Sequence, residues 1–139
     1  MKVNKILETM DYGTAPESSA AALKWIEERG ADFGLFINGA FVKPEGRESF
    51  ETHNPANNEL LAKMCQAQSA DVDAAVSAAR GAQTDWESMG GSARSKYLYA
   101  IARLVQKHAR LFAVLETLDN GTTMRESRDS DVPFVARQF

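Results

Sequence analysis

Apolar residues recur with two different periods along this chain, and the change of period separates a strand-rich part from a helical part. Between residues 34 and 65 they form short runs bounded by turn residues, which is typical of strands. From Ser69 onwards they recur every three or four residues, as on one face of a helix. With a further helix ahead of the strands, the pattern predicts an α+β fold.

The helix ahead of the strands is predicted over residues 14–30. Thr14 and Glu17 have the spacing of a capping box, which satisfies backbone N–H groups at a helix start. Gly30 predicts its end. Because its apolar stripe is short, we expect the helix to lie on a larger surface. The stripe consists of Ala22, Leu23 and Ile26.

A β-hairpin is predicted around Asn38-Gly39, a dipeptide that favours a two-residue turn between strands. Its strands are expected near residues 34–37 and 40–43. The SFETH run that follows predicts another short strand, and the turn-forming run beginning at Asn54-Pro55 ends it. The LLAKMCQA run predicts a further strand.

Glycines divide the helical part into separate helices. The first is predicted from a cap at Ser69 to a break at Gly90-Gly91, and the second opens at Ser92. A further apolar set runs to Asp119-Asn120-Gly121, where Gly121 can adopt the left-handed conformation on which helices commonly end. The apolar faces are Val72, Ala75, Val76, Ala79, Ala82 and Trp86; Leu98, Ile101, Ala102 and Val105; and Leu111, Phe112, Leu115 and Leu118.

The DSDVPFVARQF segment predicts the start of one more helix, with Ser130 or Asp131 near the cap and Pro133 in the first turn. A helix this short is marginal unless it packs against something. Its apolar residues have no sequence after them, so we expect the chain to be a truncated part of a longer protein. These residues are Phe134, Val135 and Phe139.

Composition and charge exclude several classes of function. The 139 residues suffice for one domain, and a net charge of -3 without a dense basic cluster argues against nucleic-acid binding. No stretch approaches the roughly 20 apolar residues of a membrane span, and the first residues lack the apolar core of a signal peptide. We therefore expect a cytoplasmic protein. The single cysteine, Cys65, cannot form an internal disulfide.

The chain offers few candidates for catalysis. A nucleophile pair would have to combine Cys65 with His53 or His108, the two imidazoles of the chain. Cys65 lies in an apolar run that predicts a buried, inert thiol, and His108 lies near a helix end, where a structural role is expected. Asp129 and Asp131 could share acid–base work, but their position favours acids at a helix N-terminus.

The other candidates also favour structural roles, so we predict no catalytic, cofactor-binding or metal-binding residue within this chain. No pair of cysteines or histidines has the spacing of zinc ligands, and Gly90-Gly91 and Asn120-Gly121 fit helix ends rather than phosphate loops. We predict a solvated connector around three charged residues: Arg125, Glu126 and Arg128. We predict core positions for three aromatic residues: Trp86, Tyr97 and Phe112.

From Leu35 to Phe139 the chain resembles the start of the aldehyde dehydrogenase superfamily. LFINGAFV with THNPANNELLA resembles that family's opening hairpin and Asn-Pro turn. SADVDAAVSAARGAQTDW and SARSKYLYAIARLVQKHARLFAVLETLDNG resemble its first two long helices. The preceding ILETMDYGTAPESSAAALKWI resembles the sixteenth family of that superfamily. We therefore expect residues 1–33 to form an N-terminal extension with one helix, and residues 34–139 to be the N-terminal part of a cofactor-binding domain.

The resemblance implies a parent protein that oxidises aldehydes with NAD or NADP, using a Rossmann-like domain, and that forms a homo-oligomer. In that family the catalytic cysteine, the general-base glutamate, the oxyanion-hole asparagine and the cofactor motifs lie after the position of Phe139. Cys65 aligns with an early strand, so no catalytic role carries over to it. We expect the chain alone to be inactive and to bind no cofactor.

Two further expectations follow from the resemblance. Thr122 stands where the family has lysine, which removes a surface cation. Some members bind a monovalent cation with the backbone near the Asn-Pro turn and an acid resembling Asp129 or Asp131, and we assign no such site here. Because these helices pack on later strands in the family, we expect the chain alone to be poorly packed or prone to aggregate.

Two alternatives stay open. The chain could be a small interaction module derived from the same family, which pairs with intact subunits through its apolar last helix. It could also be an unrelated helical adaptor, which requires the resemblance to be accidental. The aldehyde, the choice between NAD and NADP and the oligomeric state depend on residues that the chain does not contain.

Overall fold

A computed structural model describes residues 18–139. Within them, helix α1 spans Ala20–Glu27 and precedes five strands. The strands are Asp32–Phe33 (β1), Leu35–Ile37 (β2), Ala40–Val42 (β3), Ser49–His53 (β4) and Leu60–Cys65 (β5). The predicted capping box at Thr14 and Glu17 lies outside the described residues.

Strand β5 is the centre of a three-stranded sheet with the order β1, β5, β4. It runs parallel to β1, with Asp32 opposite Lys63, and antiparallel to β4, with Ser49 opposite Cys65. The backbone N–H of Lys63 also donates to the carbonyl of Ala31, at 2.8 Å. Because β5 is paired on both sides, it lies at the centre of the sheet, and α1 contacts it.

The hairpin predicted around Asn38-Gly39 is confirmed. Strands β2 and β3 pair antiparallel in a separate two-stranded sheet, with Ile37 opposite Ala40 across the turn. Asn38 and Gly39 have φ of 52° and 77°, and this pair of positive values is what such a tight turn requires. The strands predicted in the SFETH and LLAKMCQA runs are also present, as β4 and β5.

Three longer helices follow: α2 at Ser69–Ser88, α3 at Gly90–Lys107 and α4 at Ala109–Asn120. The break predicted at Gly90-Gly91 is present, but α3 begins at Gly90 rather than at Ser92. Helix α4 ends at Gly121, which has the expected left-handed backbone with φ of 79°. His108 separates α3 from α4, which confirms its predicted position at a helix end.

The last helical segment begins earlier than the sequence predicted. It starts at Met124, where the Thr123 side chain accepts a hydrogen bond from the backbone N–H of Glu126 at 3.3 Å. Ser130 and Asp131, the predicted caps, lie inside it. The segment comprises α5 at Met124–Glu126, a π-helical turn at Ser127–Asp131 and α6 at Val132–Gln138.

The π-helical turn explains why Pro133 is tolerated inside a continuous helical segment. Proline lacks an N–H, and its ring crowds the carbonyl four residues earlier in an α-helix. In the turn, Val132 N–H donates to the carbonyl of Ser127, five residues back, which widens the helix just before the proline. The predicted α-helix does begin here, at Val132, with Asp131 as its cap residue and Pro133 in its first turn, but it continues a helical segment that starts at Met124.

Small residues form much of the core among residues 18–139. Helices α3, α4 and α6 contact each other, and each contributes one buried alanine: Ala102, Ala113 and Ala136. Helix α1 buries Ile26 against β5 and α4, as expected for a helix that lies on a larger surface. Strands followed by packed helices confirm the predicted α+β class.

Many large apolar side chains lie on the surface rather than in this core. The exposed fraction is 77% for Phe41 on β3, 55% for Leu104 on α3 and 58% for Phe134 on α6. The three aromatic residues predicted as core are exposed too, at 38% for Trp86, 54% for Tyr97 and 45% for Phe112. That prediction was wrong: Trp86 and Tyr97 contact each other, with ring centroids 5.8 Å apart, but all three side chains remain exposed.

We expect the purified 139-residue chain to bind the dye ANS and to self-associate as its concentration rises, because exposed apolar patches promote both. Phe41→Ser with Phe134→Ser should reduce self-association, measured by light scattering. Ser130→Ala, at an exposed polar position, serves as the control. Absence of dye binding, together with dispersed amide NMR signals, would contradict the expectation.

The Asn-Pro turn packs against the corner that follows α4. A Cβ built on Gly121 would lie 2.9 Å from Cγ of Pro55. The backbone of Gly121 has a φ of 79°, a conformation that residues with a side chain disfavour. Gly121 is therefore required twice, for the backbone conformation and for the close approach of Pro55. This contact joins the end of α4 to the loop between β4 and β5.

We predict that Gly121→Ala destabilises this corner by about 1–3 kcal/mol, the usual cost of a strained backbone position. Cleavage by thermolysin under native conditions should become faster, since its rate follows the population of open chain. Gly81→Ala in α2 is the matched control, because its Cβ meets no atom within 4 Å and alanine favours helix. Equal cleavage rates for both variants would contradict the role of Gly121.

Candidate functional site

An apolar groove of about 780 Å³ lies between the three-stranded sheet and the helices. Helix α1 forms one wall, α4 and α6 form the other, and β5 contributes to the floor. The groove is rich in aromatic rings, and Trp25 stacks on Phe33 with ring centroids 5.9 Å apart. Its aromatic residues are Trp25, Phe33, Phe50 and Phe112.

Three carboxylates lie along the helical wall of this groove: Glu116, Asp119 and Asp131. None of the described lining residues is a lysine, arginine or histidine. Asp119 accepts a hydrogen bond from the hydroxyl of Thr52 on β4. Glu116 and Asp131 are half-buried. The groove therefore combines an apolar interior with negative charge along one wall.

The structure does not bring Cys65 and His53 together. Cys65 is buried on β5 opposite Ser49, whereas His53 lies at the other end of β4, opposite Leu60. Ser49 and His53 lie four steps apart along β4, roughly 13 Å at the usual rise per residue. His53 instead lies 3.6 Å from Glu51, and His108 is exposed between α3 and α4. The buried thiol predicted for Cys65 is confirmed.

The two acids considered for acid–base chemistry have different surroundings. Asp129 is exposed and accepts hydrogen bonds from Arg128, at 2.7 and 2.9 Å, and this neighbour holds the pKa of the carboxyl below its usual value. Asp131 lies on the groove wall. Both lie in the π-helical turn, and Asp131 is also the cap residue at the N-terminus of α6, as predicted. Arg125, Glu126 and Arg128 belong to the same helical segment, so the predicted connector is helical.

Asp119 is the acid next to the Asn-Pro turn, because its hydrogen-bond partner Thr52 lies two residues before Asn54. Its contact with Thr52 joins β4 to the end of α4, two residues before Gly121 meets Pro55. Asp129 and Asp131, the acids considered from the sequence for a monovalent cation, lie instead in the π-helical turn. Within residues 18–139 no group of three or more His, Cys, Asp or Glu side chains could hold a metal ion.

A partly buried ion pair fixes the start of α2 against the loop before β4. Arg47 donates to both oxygens of the Asp71 carboxylate, at 2.8 and 3.0 Å, and the backbone N–H of Gln68 donates to it at 2.8 Å. The cap residue is therefore Gln68 rather than Ser69. The hydrogen bonds from Arg47 are the main cause that lowers the pKa of Asp71.

Sequence reasoning missed both the ion pair and the groove. Arg47 and Asp71 are 24 residues apart, and nothing in the local pattern marks them as partners. Asp71 three residues after Gln68 is a capping-box spacing that could have indicated the correct cap. The groove draws its lining from elements as distant as α1 and α6, so it depends on tertiary packing.

No helix among residues 18–139 is long and apolar enough to cross a membrane.

The family model for the aldehyde dehydrogenase family matches residues 41–139. This match covers more than half of the chain, and the chain therefore belongs to that family. The fold agrees, since the similar solved structures are also of aldehyde dehydrogenases. The membership confirms the resemblance read from the hairpin, the Asn-Pro turn and the two long helices.

Several relatives show how far the similarity extends. DhaS of Bacillus subtilis (strain 168), named as an aldehyde dehydrogenase, is 38% identical over 137 residues, 97% of this chain and 24% of its own. HpcC from Thermus thermophilus is 33% identical, with a TM-score of 0.77 over 85% of this chain and 23% of its own. The NAD+ complex of an aldehyde dehydrogenase from Bacillus cereus is 34% identical, with a TM-score of 0.72 over 92% and 26%. The chain thus spans about a quarter of the length of these relatives.

We predict that Asp71→Asn increases hydrogen exchange of the first-turn amides of α2, because it removes the charge that Arg47 and Gln68 bind. Since the folded pKa of Asp71 is lowered, its stabilisation is present above the ordinary aspartate pKa and is lost as pH falls through the folded value. Exchange, corrected for its intrinsic pH dependence, should therefore rise at acid pH in the native chain.

Asp129→Asn is the control for this prediction. It also removes an aspartate paired with arginine, but at an exposed position where ion pairs contribute little. It should leave exchange in α2 unchanged. Equal protection of α2 in the native chain and in Asp71→Asn would show that the pair does not hold the helix start.

Proposed function

We propose that this chain is the N-terminal scaffold of an NAD(P)-dependent dehydrogenase that oxidises aldehydes to carboxylic acids. The family match over residues 41–139 is the observation that carries the proposal. The parent would act on an aldehyde substrate as a homo-oligomer. Residues 34–139 would begin the cofactor-binding domain, and residues 1–33 would form an extension to it.

The groove supports a scaffold role rather than a catalytic one. It is lined by aromatic and aliphatic side chains, with carboxylates along one wall. Acyl oxidation through a covalent intermediate needs an activated nucleophile, and Cys65 is buried on β5 away from His53. We therefore assign catalysis, cofactor binding and metal binding to no residue of this chain.

NAD or NADP is the cofactor we propose for the parent, and none for the chain alone. The support comes from relatives: the Bacillus cereus enzyme and PnpE are both described as complexes with nicotinamide adenine dinucleotide. Proteins usually bind the anionic pyrophosphate of a dinucleotide with a glycine-rich turn before a helix N-terminus. In the described chain Gly90, Gly91 and Gly121 serve instead as helix boundaries.

Membership of the sixteenth family is a narrower prediction, made from residues 6–26. The proposal that the first residues are an extension can be tested separately. Deletion of residues 1–17, which precede the described part, should leave helices α2 to α4 protected in hydrogen exchange if these residues are an extension.

The alternative is an interaction module that pairs with intact subunits through its last helix. Phe134 and Phe139 on this segment are exposed by 58% and 48%, which favours a docked partner. Co-purification of the chain with a full-length dehydrogenase would support this function. A chain that stays unbound in the presence of that enzyme would remove it.

We predict that the chain alone shows no heat of NAD binding and no aldehyde-dependent NADH formation. A chimera in which it replaces the matched part of DhaS should regain NAD-dependent aldehyde oxidation, because the scaffold is then joined to its catalytic part. Micromolar binding of NAD by the chain alone would overturn the assignment of the cofactor site to the rest of the parent.

Two glycine variants test whether this part of the chimera is folded as described. Gly121→Ala in the chimera should lower its thermal midpoint, whereas Gly81→Ala should not. A folded chimera that binds NAD but fails to oxidise aldehydes would contradict the proposed function.

A further inference from the structure

We propose that Asn38 is a site of spontaneous deamidation, at which the Asn38-Gly39 turn converts to aspartate and isoaspartate. Asn120-Gly121, the same dipeptide at the end of α4, is protected from this reaction. These are the two Asn-Gly pairs of the chain. The inference goes beyond the proposed function and does not depend on it, because the different surroundings of the two pairs carry it.

The reaction joins the asparagine side chain to the backbone that follows it. The backbone nitrogen of Gly39 loses its proton to hydroxide and attacks Cγ of Asn38, which forms a cyclic imide and releases the side-chain nitrogen as ammonia. Water then adds to either imide carbonyl and gives aspartate or isoaspartate, with no oxidation or reduction. Glycine favours the attack because it has no side chain to crowd its nitrogen and its backbone rotates freely.

The reacting groups at Asn38 are open to solvent. Asn38 and Gly39 are both exposed, and a Cβ built on Gly39 would meet no atom within 4 Å. Among residues 18–139, neither the Asn38 side chain nor the backbone N–H of Gly39 forms a hydrogen bond with another residue. The attacking nitrogen and the amide carbon are therefore accessible to each other, to hydroxide and to water.

The hairpin that contains Asn38 can open at low cost. Its tight turn restricts the backbone rotation that brings the nitrogen to Cγ, so the reaction proceeds after the turn opens. Strands β2 and β3 have three residues each and form a sheet of their own. Phe36 and Phe41 contact each other across it but are exposed by 63% and 77%. An isolated two-stranded hairpin is marginally stable in water, so we expect frequent opening.

The surroundings of Asn120 oppose the same reaction. Its side-chain oxygen accepts a hydrogen bond from the backbone N–H of Thr122 at 2.7 Å. The backbone N–H of Gly121 donates to the carbonyl of Thr117 at 3.1 Å, and Gly121 also packs closely against Pro55. Both the attacking nitrogen and the amide that it would attack are therefore held in place by the end of α4.

Peptide mapping by mass spectrometry of the purified 139-residue chain, kept at mildly alkaline pH, tests the proposal. For each site, the conversion rate in the native chain is divided by the rate in the urea-unfolded chain, which removes the effect of flanking residues. The ratio should be close to one at Asn38 and about tenfold or more lower at Asn120, because the chemistry proceeds from locally open states. Equal ratios at the two sites, or a lower ratio at Asn38, overturn the inference.

Isoaspartate distinguishes the imide route from direct hydrolysis of the amide, which gives aspartate alone. The probe is isoaspartyl methyltransferase, which transfers a methyl group from S-adenosylmethionine to isoaspartate. After ageing, the native chain should accept methyl groups. Asn38→Asp should accept far fewer, because an ionised carboxylate resists attack by nitrogen. Asp-Gly keeps the preference for this turn, so the variant preserves the hairpin.

Asn120→Asp is the matched control, because it makes the same change before the other glycine. It should accept as many methyl groups as the native chain. Deamidation at Asn38 without isoaspartate, or methyl acceptance that is lost in Asn120→Asp and retained in Asn38→Asp, overturns the inference. Either result leaves the proposed function intact, since that function rests on the family match.

Discussion

The pairing of β5 on both of its edges is the constraint on which the rest of the structure depends. β4 reaches β5 through the Asn-Pro turn, whereas β1 reaches it from the other side after the chain reverses at Gly30 and Ala31. With both edges bound, β5 can bury Leu61 and Cys65 and support α1, while α4 lies against β4. The groove exists because these two helices approach the same sheet without meeting completely.

Local signals in the sequence predicted local structure well. The Asn38-Gly39 turn and the end of α4 at Gly121 depend on backbone conformations that few residues adopt, so the residue type alone indicates them. Non-local structure was missed. β1 has two residues and pairs with a strand 31 positions later. The helix start at Pro133 was predicted, but the helical residues from Met124 to Asp131 that precede it were not.

The apolar pattern of a helix predicts which face is covered but not what covers it. This explains why Trp86, Tyr97 and Phe112, which lie on apolar helix faces, are exposed in the described chain. It also explains why the groove was not foreseen, since its walls come from α1 near residue 25 and α6 near residue 135. Family membership supplies the missing context, because the matched relatives are about four times as long as this chain.

The central claim is that this chain is the scaffold of a longer dehydrogenase, and sequencing the genomic DNA beyond the codon for Phe139 tests it most directly. The account predicts an open reading frame that continues with a glycine-rich cofactor segment and a later catalytic cysteine. A stop codon immediately after Phe139 would contradict it and would favour an interaction module.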